Sequence, residues 1–359
     1  MRYAQLGRSG LIVSRVTLGC LTFGGQADSA LYKVDAGEAA RIVARARDAG
    51  INLFDTADLY AGGLSEEFLG RAIEGTRHEI LISSKGGFRT GPGIGDAGLS
   101  RAHLMAAVEA SLRRLKTDYL DIYYAHKTDP LTPLDETLRA LDDIVRSGKA
   151  RYVGFSNWPA WQAAIAIERQ RQQGYAPFVT GQIAYSLVMR DAEYELLPFM
   201  ENEGVGATAW SPLAGGFLTG KYDRAALADP KSRVAISTLP YDREAGLAIV
   251  DVLRSIAAAR SCTIAQVAIA WVLRRPAVAS ALVGVSRLDQ LGELAAAADI
   301  MLSDDEIASL GAAASMRPLY PHWHIAASQD RVAFDAIGRE PPVGAGASGA
   351  ADIAATAKK

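Results

Sequence analysis

Leu120-Asp121-Ile122-Tyr123-Tyr124-Ala125 is a short run of branched and aromatic residues between two helical faces, and its reading decides the fold. Before it, Leu104, Val108, Leu112 and Leu115 recur at steps of three and four; after it, Leu134, Leu138, Leu141 and Val145 do the same. That spacing keeps one side of a helix apolar. The alternation extends outward in both directions. Strands are predicted at Val16–Gly19, Ile51–Ala57, Glu79–Ser84, Tyr152–Ser156, Phe178–Ile183, Gly206–Trp210 and Ala281–Val285. Strands that are apolar throughout and separated by helices imply a parallel sheet covered by helices. Ser65 and Ser100 stand where helices would be capped, and Gly50, Gly75 and Gly148 where they would stop.

The chain has 359 residues, and eight such units fill the roughly 250 residues of a (β/α)8 TIM barrel with some excess. An open, doubly wound α/β sheet is the rival architecture. The excess falls in three places. Residues 1–15 read as an N-terminal hairpin, and residues 216–240, with Pro230 and Pro240, as a long loop of the kind that is usually functional. Residues 326–359 read as an Ala/Gly/Pro-rich C-terminal tail with little order, which leaves residues 1–325 as one barrel domain.

Lys and Arg number 38 against 40 Asp and Glu, a formal net charge of −2. That balance argues against a nucleic-acid footprint or a polybasic membrane surface. No apolar run approaches the ~18 residues needed to cross a bilayer. The stretch from Met1 to Arg8 lacks the apolar core of a signal peptide. Cys20 and Cys262 make neither a disulfide framework nor a zinc site. The expectation is a reduced, cytoplasmic protein with a small-molecule partner, no nucleic acid and no membrane. Subunit number is not legible.

Four near-motifs are weak. Gly93-Ile94-Gly95-Asp96-Ala97-Gly98 has the spacing of a dinucleotide fingerprint, but the helix begins later, at Ser100, so a loop is expected. Gly215 to Lys221 resembles a phosphate loop in which Tyr222 replaces the hydroxyl that reaches Mg²⁺; it can still hold a phosphate. Gly154-Phe155-Ser156-Asn157-Trp158 lacks the last glycine of a nucleophile elbow. His322 and His324 lack further ligands for a metal, and none is expected.

Asp55, Tyr60, Lys85 and His126 each sit at or just beyond the C-terminal end of a predicted strand. That rim is where barrel enzymes place their chemistry. Each residue has a bland alternative: a turn cap, a half-buried ring, a solvated lysine, a core histidine. Four on one rim read better as a proton-delivery device. A free phenol of pKa ~10 is a reluctant acid at neutral pH, and an adjacent ammonium is expected to lower it toward the working range. Asp55 would balance the buried ammonium, and His126 would orient a carbonyl oxygen on its way to an alkoxide.

At this point the residues meet a known family. Phe54-Asp55-Thr56-Ala57-Asp58-Leu59-Tyr60, Ser83-Ser84-Lys85 and Tyr124-Ala125-His126, in that order, resemble the aldo-keto reductase signatures. So do Gly154 to Trp158, Gln182-Ile183-Ala184-Tyr185-Ser186 and Trp210-Ser211-Pro212-Leu213-Ala214-Gly215-Gly216. The resemblance runs from about Tyr3 to Tyr320 and points to a bacterial NADPH-dependent member near the potassium channel β-subunit-like branch. It implies a barrel that binds NADP(H) at its C-terminal mouth without a Rossmann motif.

By that resemblance Tyr60 is the general acid, tuned by Lys85 and Asp55, and His126 orients the carbonyl. Gly19, Cys20, Leu21 and Asp55 fall at the cofactor edge. Ser156, Asn157 and Gln182 match the residues that hold the nicotinamide carboxamide, and Trp210 the ring that stacks on it. Ser211, Pro212, Leu213, Gly215 and Lys221 match the pyrophosphate loop, and Arg233 a cofactor clamp. Gly284, Ser286, Arg287, Gln290 and Glu293 match the adenosine site, where a helix N-terminus and a guanidinium suit a 2′-phosphate. Leu294 departs from the family's adenine-contacting Asn. Phe23, Phe88, Trp158 and Trp323, with Leu21, Met189, Tyr60 and His126, are expected to line an apolar substrate pocket.

The resemblance implies an NADPH-dependent carbonyl reductase. The alternatives are a non-catalytic cofactor-binding regulatory subunit of the same fold and a barrel that uses Lys85 as a Schiff-base nucleophile. The channel subunits depart from histidine at the position of His126, and the pairing of Lys85 with Asp55 opposes the nucleophile.

Overall fold

The computed structural model describes residues 1–26, 29, 31–228, 234 and 238–339. In chain order the elements are β1 (Tyr3–Gln5), β2 (Ile12–Ser14), β3 (Val16–Gly19), α1 (Ala36–Asp48), β4 (Leu53–Asp55), α2 (Leu64–Ala72), β5 (Leu81–Gly86) and α3 (Arg101–Leu115). There follow β6 (Leu120–Ala125), α4 (Leu134–Arg146), β7 (Ala150–Ser156), α5 (Ala160–Gln173), β8 (Phe178–Ala184), α6 (Leu196–Glu203) and β9 (Gly206–Trp210). The chain continues through α7 (Arg224–Ala228), α8 (Arg243–Arg260), α9 (Ile264–Leu273), β10 (Val278–Gly284), α10 (Leu288–Ala296), α11 (Asp304–Ala313), α12 (His322–Ala327) and α13 (Arg331–Ala336).

Strands β3 to β10 pair in parallel, each with the next, and β10 returns to β3 with Ala281 opposite Val16, so the sheet closes into an eight-stranded barrel. Closure rules out the open doubly wound sheet. The physical reason is visible in burial: β6 is buried at every residue, as only a strand covered on both faces can be. Helix α4 shows the complementary pattern. Its Leu138, Leu141 and Ile144 are fully buried, each worth roughly 1.5–3 kcal/mol, while Asp135, Glu136, Arg139 and Arg146 are exposed.

The antiparallel hairpin β1–β2 plugs the N-terminal end, where Leu6 and Val13 pack with Leu53, Ile122, Tyr124 and Ala279. Its turn demands Gly7. The residue has φ +60°, and a Cβ there would meet the Gly204 carbonyl oxygen at 2.4 Å. Ser100 caps α3, its hydroxyl accepting from the His103 N–H at 3.3 Å. Ser65 is not a cap. It lies inside α2, whose cap position is Gly63, and its buried hydroxyl donates to the Cys20 carbonyl at 2.8 Å instead.

The Gly93–Gly98 segment is a loop before α3. Within the segment expected to be a poorly ordered tail, residues 331–336 form α13, and residues 340–359 lie outside the described residues. Helices α8 and α9 together are apolar and long enough for a membrane span, yet meet at 101°. Among the described residues no single helix is long and apolar enough to cross a membrane.

Candidate active site

A parallel barrel delivers every strand end to one rim. Asp55 closes β4 there, and Lys85 stands one residue from the end of β5. Period two along β5 turns Ser83 and Lys85 into the barrel and Ser84 outward. Between β4 and α2 the chain must reverse sharply. Ala61, Gly62 and Gly63 take φ of +50°, +65° and +97°, which leaves Tyr60 at the tip of the turn above Lys85.

The side chains converge. Asp55 Oδ1 accepts from Lys85 Nζ at 2.5 Å, and Oδ2 from Ser83 Oγ at 2.6 Å and Gln182 Nε2 at 2.9 Å. The ammonium also donates to the Thr56 carbonyl at 2.7 Å and to Tyr60 Oη at 3.5 Å. Lys85 has no solvent exposure and Asp55 only 2 %. A charge buried so deeply persists only with its partner. His126 stands edge-on to Tyr60, ring centroids 6.1 Å apart, and Phe88 stands edge-on to His126 at 4.7 Å. Among the described residues, His126 Nδ1 is buried without a hydrogen-bond partner.

Burial and charge compete at each group. Burial alone would strip the proton from Lys85, but the oxygens of Asp55 and Tyr60 outweigh it and hold the ammonium above the ordinary lysine range. Burial, then the neighbouring ammonium, pushes His126 well below 6.5, so it is neutral at pH 7. The sequence-based expectation for Tyr60 needs correcting. Lys85 does pull its pKa down, but burial is larger and Asp55 opposes the lysine, so the phenol ends above 10. At neutral pH it is a fully protonated donor.

Around the rim a second set meets. Asn157, held at φ +58°, donates from Nδ2 to the His126 carbonyl at 3.2 Å and to Ser156 Oγ at 3.0 Å; its Oδ1 accepts from Trp210 Nε1 at 2.9 Å. One side chain thus ties the ends of β6, β7 and β9. After Trp210 the chain passes through Ser211 (φ +53°), buried Pro212, Leu213, Ala214 (φ +48°), Gly215 (φ +69°) and Gly216 (φ +98°). Within these turns the Ala214 N–H donates to the Ser211 carbonyl and the Gly216 N–H to the Leu213 carbonyl, both at 2.9 Å. Lys221 follows, exposed, its Nζ 5.0 Å from the Tyr222 ring centroid.

Gly284 ends β10, and Arg287 is the cap residue of α10. The guanidinium is 68 % exposed and paired with Asp289 at 2.9 Å. Gln290 Oε1 accepts from the Ser286 N–H at 3.1 Å, a contact an anion at this helix start would replace. Glu293 is exposed and Leu294 buried. Gly19 and Leu21 are half-buried at the end of β3, whereas the Cys20 thiol is enclosed and burial pushes its pKa up. Arg233 lies outside the described residues.

The residues proposed for the pocket separate into two groups. Phe88 sits at the catalytic rim and Trp323 is half-buried near Tyr320, ring centroids 6.4 Å apart. Phe23 is fully buried, Met189 nearly so, and Trp158 packs against Phe155 and Phe178. Phe23 belongs to the core, whereas Trp158 packs there and also borders open space at the rim. A cavity of 470 Å³ lies beside Asn157 and is also bordered by Trp158, Tyr194, Glu195, Tyr320 and His322. Two contributors escaped sequence reading. Ser83 could have been found from period two, since it shares a face with Lys85; the Thr56 carbonyl carries no residue-type signal.

The geometry has counterparts among known proteins. The model of the aldo/keto reductase family matches residues 15–314. A probable voltage-gated potassium channel subunit beta of Arabidopsis thaliana is 39 % identical over 313 residues, 84 % of this chain and 92 % of that protein. One of Oryza sativa subsp. japonica is 36 % identical over 332 residues, 89 % of this chain and 98 % of its own length. The versiconal hemiacetal acetate reductase of Aspergillus parasiticus is 34 % identical over 329 residues, 86 % of this chain and 95 % of that enzyme. The chain belongs to the aldo/keto reductase family, and with it to the oxidoreductases of carbonyl compounds.

Proposed function

We propose that the protein reduces an aldehyde or ketone to the alcohol, reversibly, with NADP(H) as cofactor and Tyr60 as the general acid. The observation that carries this reading is the enclosed triad: Tyr60 Oη lies 3.5 Å from a lysine nitrogen that Asp55 holds at 2.5 Å. The donor set at the rim fits the cofactor. Ser156, Asn157 and Gln182 offer partners for a carboxamide, Trp210 an aromatic plate, and the tight turns at 211–216 with Lys221 beside them a place for a pyrophosphate. Arg287, at the start of α10, would exchange the Asp289 carboxylate for a 2′-phosphate, which favours NADP over NAD.

A bound reduced nicotinamide supplies the hydride. The chain's own residues handle the oxygen. Neutral His126 donates a hydrogen bond to the carbonyl oxygen and fixes its direction, and Tyr60 delivers the proton as negative charge develops there. Lys85 holds the phenol's pKa below where burial alone would place it and stabilises the phenolate left behind. Its raised pKa keeps the lysine charged, which argues against a Schiff-base role.

A regulatory subunit without turnover is the second reading, favoured by the names of the two plant relatives. His126 beside Tyr60 supports the enzyme. The deciding experiment follows NADPH absorbance over a panel of aldehydes, ketones, sugars and terpenoid or steroid carbonyls. The wild type turns over at least one, and Tyr60→Phe loses about 10²–10⁴-fold in rate, the usual worth of general acid catalysis, while still binding NADPH. Unchanged turnover in Tyr60→Phe would place the acid elsewhere; no turnover of any carbonyl by the wild type would favour the regulatory subunit.

A further inference from the structure

Behind β5, on the side away from the barrel interior, lies a second buried polar layer that the proposed reaction does not use. Ser84 turns outward and donates to Glu66 Oε1, and Arg114 on α3 donates from Nε to Glu66 Oε2 at 2.6 Å. Glu66 is fully buried. Asp58 is 3 % exposed, and neither of its carboxylate oxygens has a side-chain hydrogen-bond donor among the described residues. The Tyr123 hydroxyl, fully enclosed against β5, is also unpartnered. Two chain contacts join this layer to the catalytic one. The Asp58 N–H donates to the Lys85 carbonyl at 3.2 Å, and Tyr60 follows Asp58 by two residues.

We infer that Asp58 keeps its proton far above the usual carboxylate range, giving it up only around neutrality, and that Asp58 and Glu66 together hold the Tyr60 turn against Lys85, as a positioning pair. Two carboxylates enclosed together in a low dielectric cannot both ionise cheaply. Glu66 has a guanidinium and a hydroxyl as donors, and Asp58 has no side-chain donor at all, so the proton belongs on Asp58. Burial, then the charge of Glu66, pushes the Asp58 carboxyl up to about 7, against the pull of Arg114, the Leu59 amide and Lys85. The groups that face it are Glu66 from α2, Arg114 from α3, Lys85 from β5 and Tyr123 from β6. Burial holds the Tyr123 hydroxyl well above its usual pKa, so it stays protonated as Asp58 titrates.

Loss of the Asp58 proton sets two anions against one guanidinium behind the strand. The Asp58 turn then relaxes away from β5, and the 3.5 Å approach of Tyr60 to Lys85 lengthens with it. The kinetic consequence rests on Tyr60 being the proton donor; the protonation state does not. Infrared titration of the full chain tests the latter. The wild type shows the carbonyl band of one protonated carboxyl that vanishes in a single-proton step near pH 7, and Asp58→Asn lacks it. Glu66→Gln, which leaves one buried carboxyl, moves the step to lower pH.

In NADPH-driven turnover, kcat of the wild type falls above pH 7 by up to about tenfold per pH unit, with KM for the cofactor unmoved. Asp58→Asn and Glu66→Gln both lose that limb, because neither can place two anions there. A wild type without the band, or an Asp58→Asn that retains it, overturns the proton assignment. The same alkaline limb in Asp58→Asn overturns the positioning role. A failed reductase reading shows separately, as no wild-type turnover at any pH, and the infrared step decides the pair in that case too.

Discussion

Asp55→Asn and Lys85→Met remove opposite halves of one buried ion pair, and the structure ranks their costs. Breaking such a pair typically costs about 3–5 kcal/mol, because the remaining charge is left in a low dielectric. The two orphans are not equivalent. After Lys85→Met, Asp55 keeps Ser83 Oγ at 2.6 Å and Gln182 Nε2 at 2.9 Å, donors that partly satisfy the carboxylate. After Asp55→Asn, the ammonium keeps the Thr56 carbonyl at 2.7 Å and a long 3.5 Å contact to Tyr60, neither of them an anion. Asp55→Asn therefore falls near the upper end of the range and Lys85→Met near the lower. The double variant buries no unpaired charge, and Met replaces most of the lysine stem. It should cost no more than Lys85→Met alone, so the coupling equals at least the full cost of Asp55→Asn, about 5 kcal/mol. Urea titration at pH 7, followed by tryptophan fluorescence with a common slope, measures all four proteins. Additive losses, or Lys85→Met being the costlier single change, would refute the account of what holds the lysine.

Two further outcomes follow from the rim. Arg287→Ala should raise the Kd for NADPH by about 10- to 100-fold, the worth of one charge-assisted contact, with little change for NADH; equal effects on both would remove the 2′-phosphate contact. The pH dependence of the two directions should differ. Reduction needs protonated Tyr60 and oxidation its phenolate, so a pKa raised above 10 makes oxidation climb with pH past 10, while the Tyr60 requirement imposes no break on reduction between pH 7 and 9. Initial rates in each direction, with Asp58→Asn as background so that its own limb is absent, check this.

How far the sequence carried these conclusions depended on what each residue had to report. The barrel was legible because strands such as Leu120–Ala125 are apolar on both faces, a pattern that only helices on the outside and packing within can satisfy. That Asp55, Tyr60, Lys85 and His126 meet was legible because each stands at or shortly beyond a strand end, and a parallel barrel has one such rim. Rings were harder. Phe23 has the composition of a pocket residue but is fully buried in the core, and Trp158 packs on Phe155 and Phe178 while also bordering the cavity beside Asn157; which way a ring faces depends on a χ angle and on its neighbours. The Asp58–Glu66 layer was invisible for a similar reason. Seven residues lie between the two acids, and nothing in their types or spacing says that both end up buried behind β5.

The direction of the Tyr60 shift is the most instructive disagreement, because it follows from the same enclosure that makes the lysine useful. A phenol beside an ammonium in water would gain little, since the interaction of two groups 3.5 Å apart is heavily screened there. Excluding water strengthens that attraction, but it also penalises the phenolate directly and forces the ammonium to bring an anion with it. Asp55 is that anion, and its charge opposes the lysine at Tyr60. The site limits the damage by placement. Ser83 and Gln182 draw one carboxylate oxygen away while the other meets Nζ, so the ammonium stands between the negative charge and the phenol. In the proposed reaction, the result is a tyrosine that keeps its proton at rest and has a cation in place for the moment it gives that proton up. Delivery to a developing alkoxide needs no more than this, because the acceptor becomes the stronger base as the reaction proceeds.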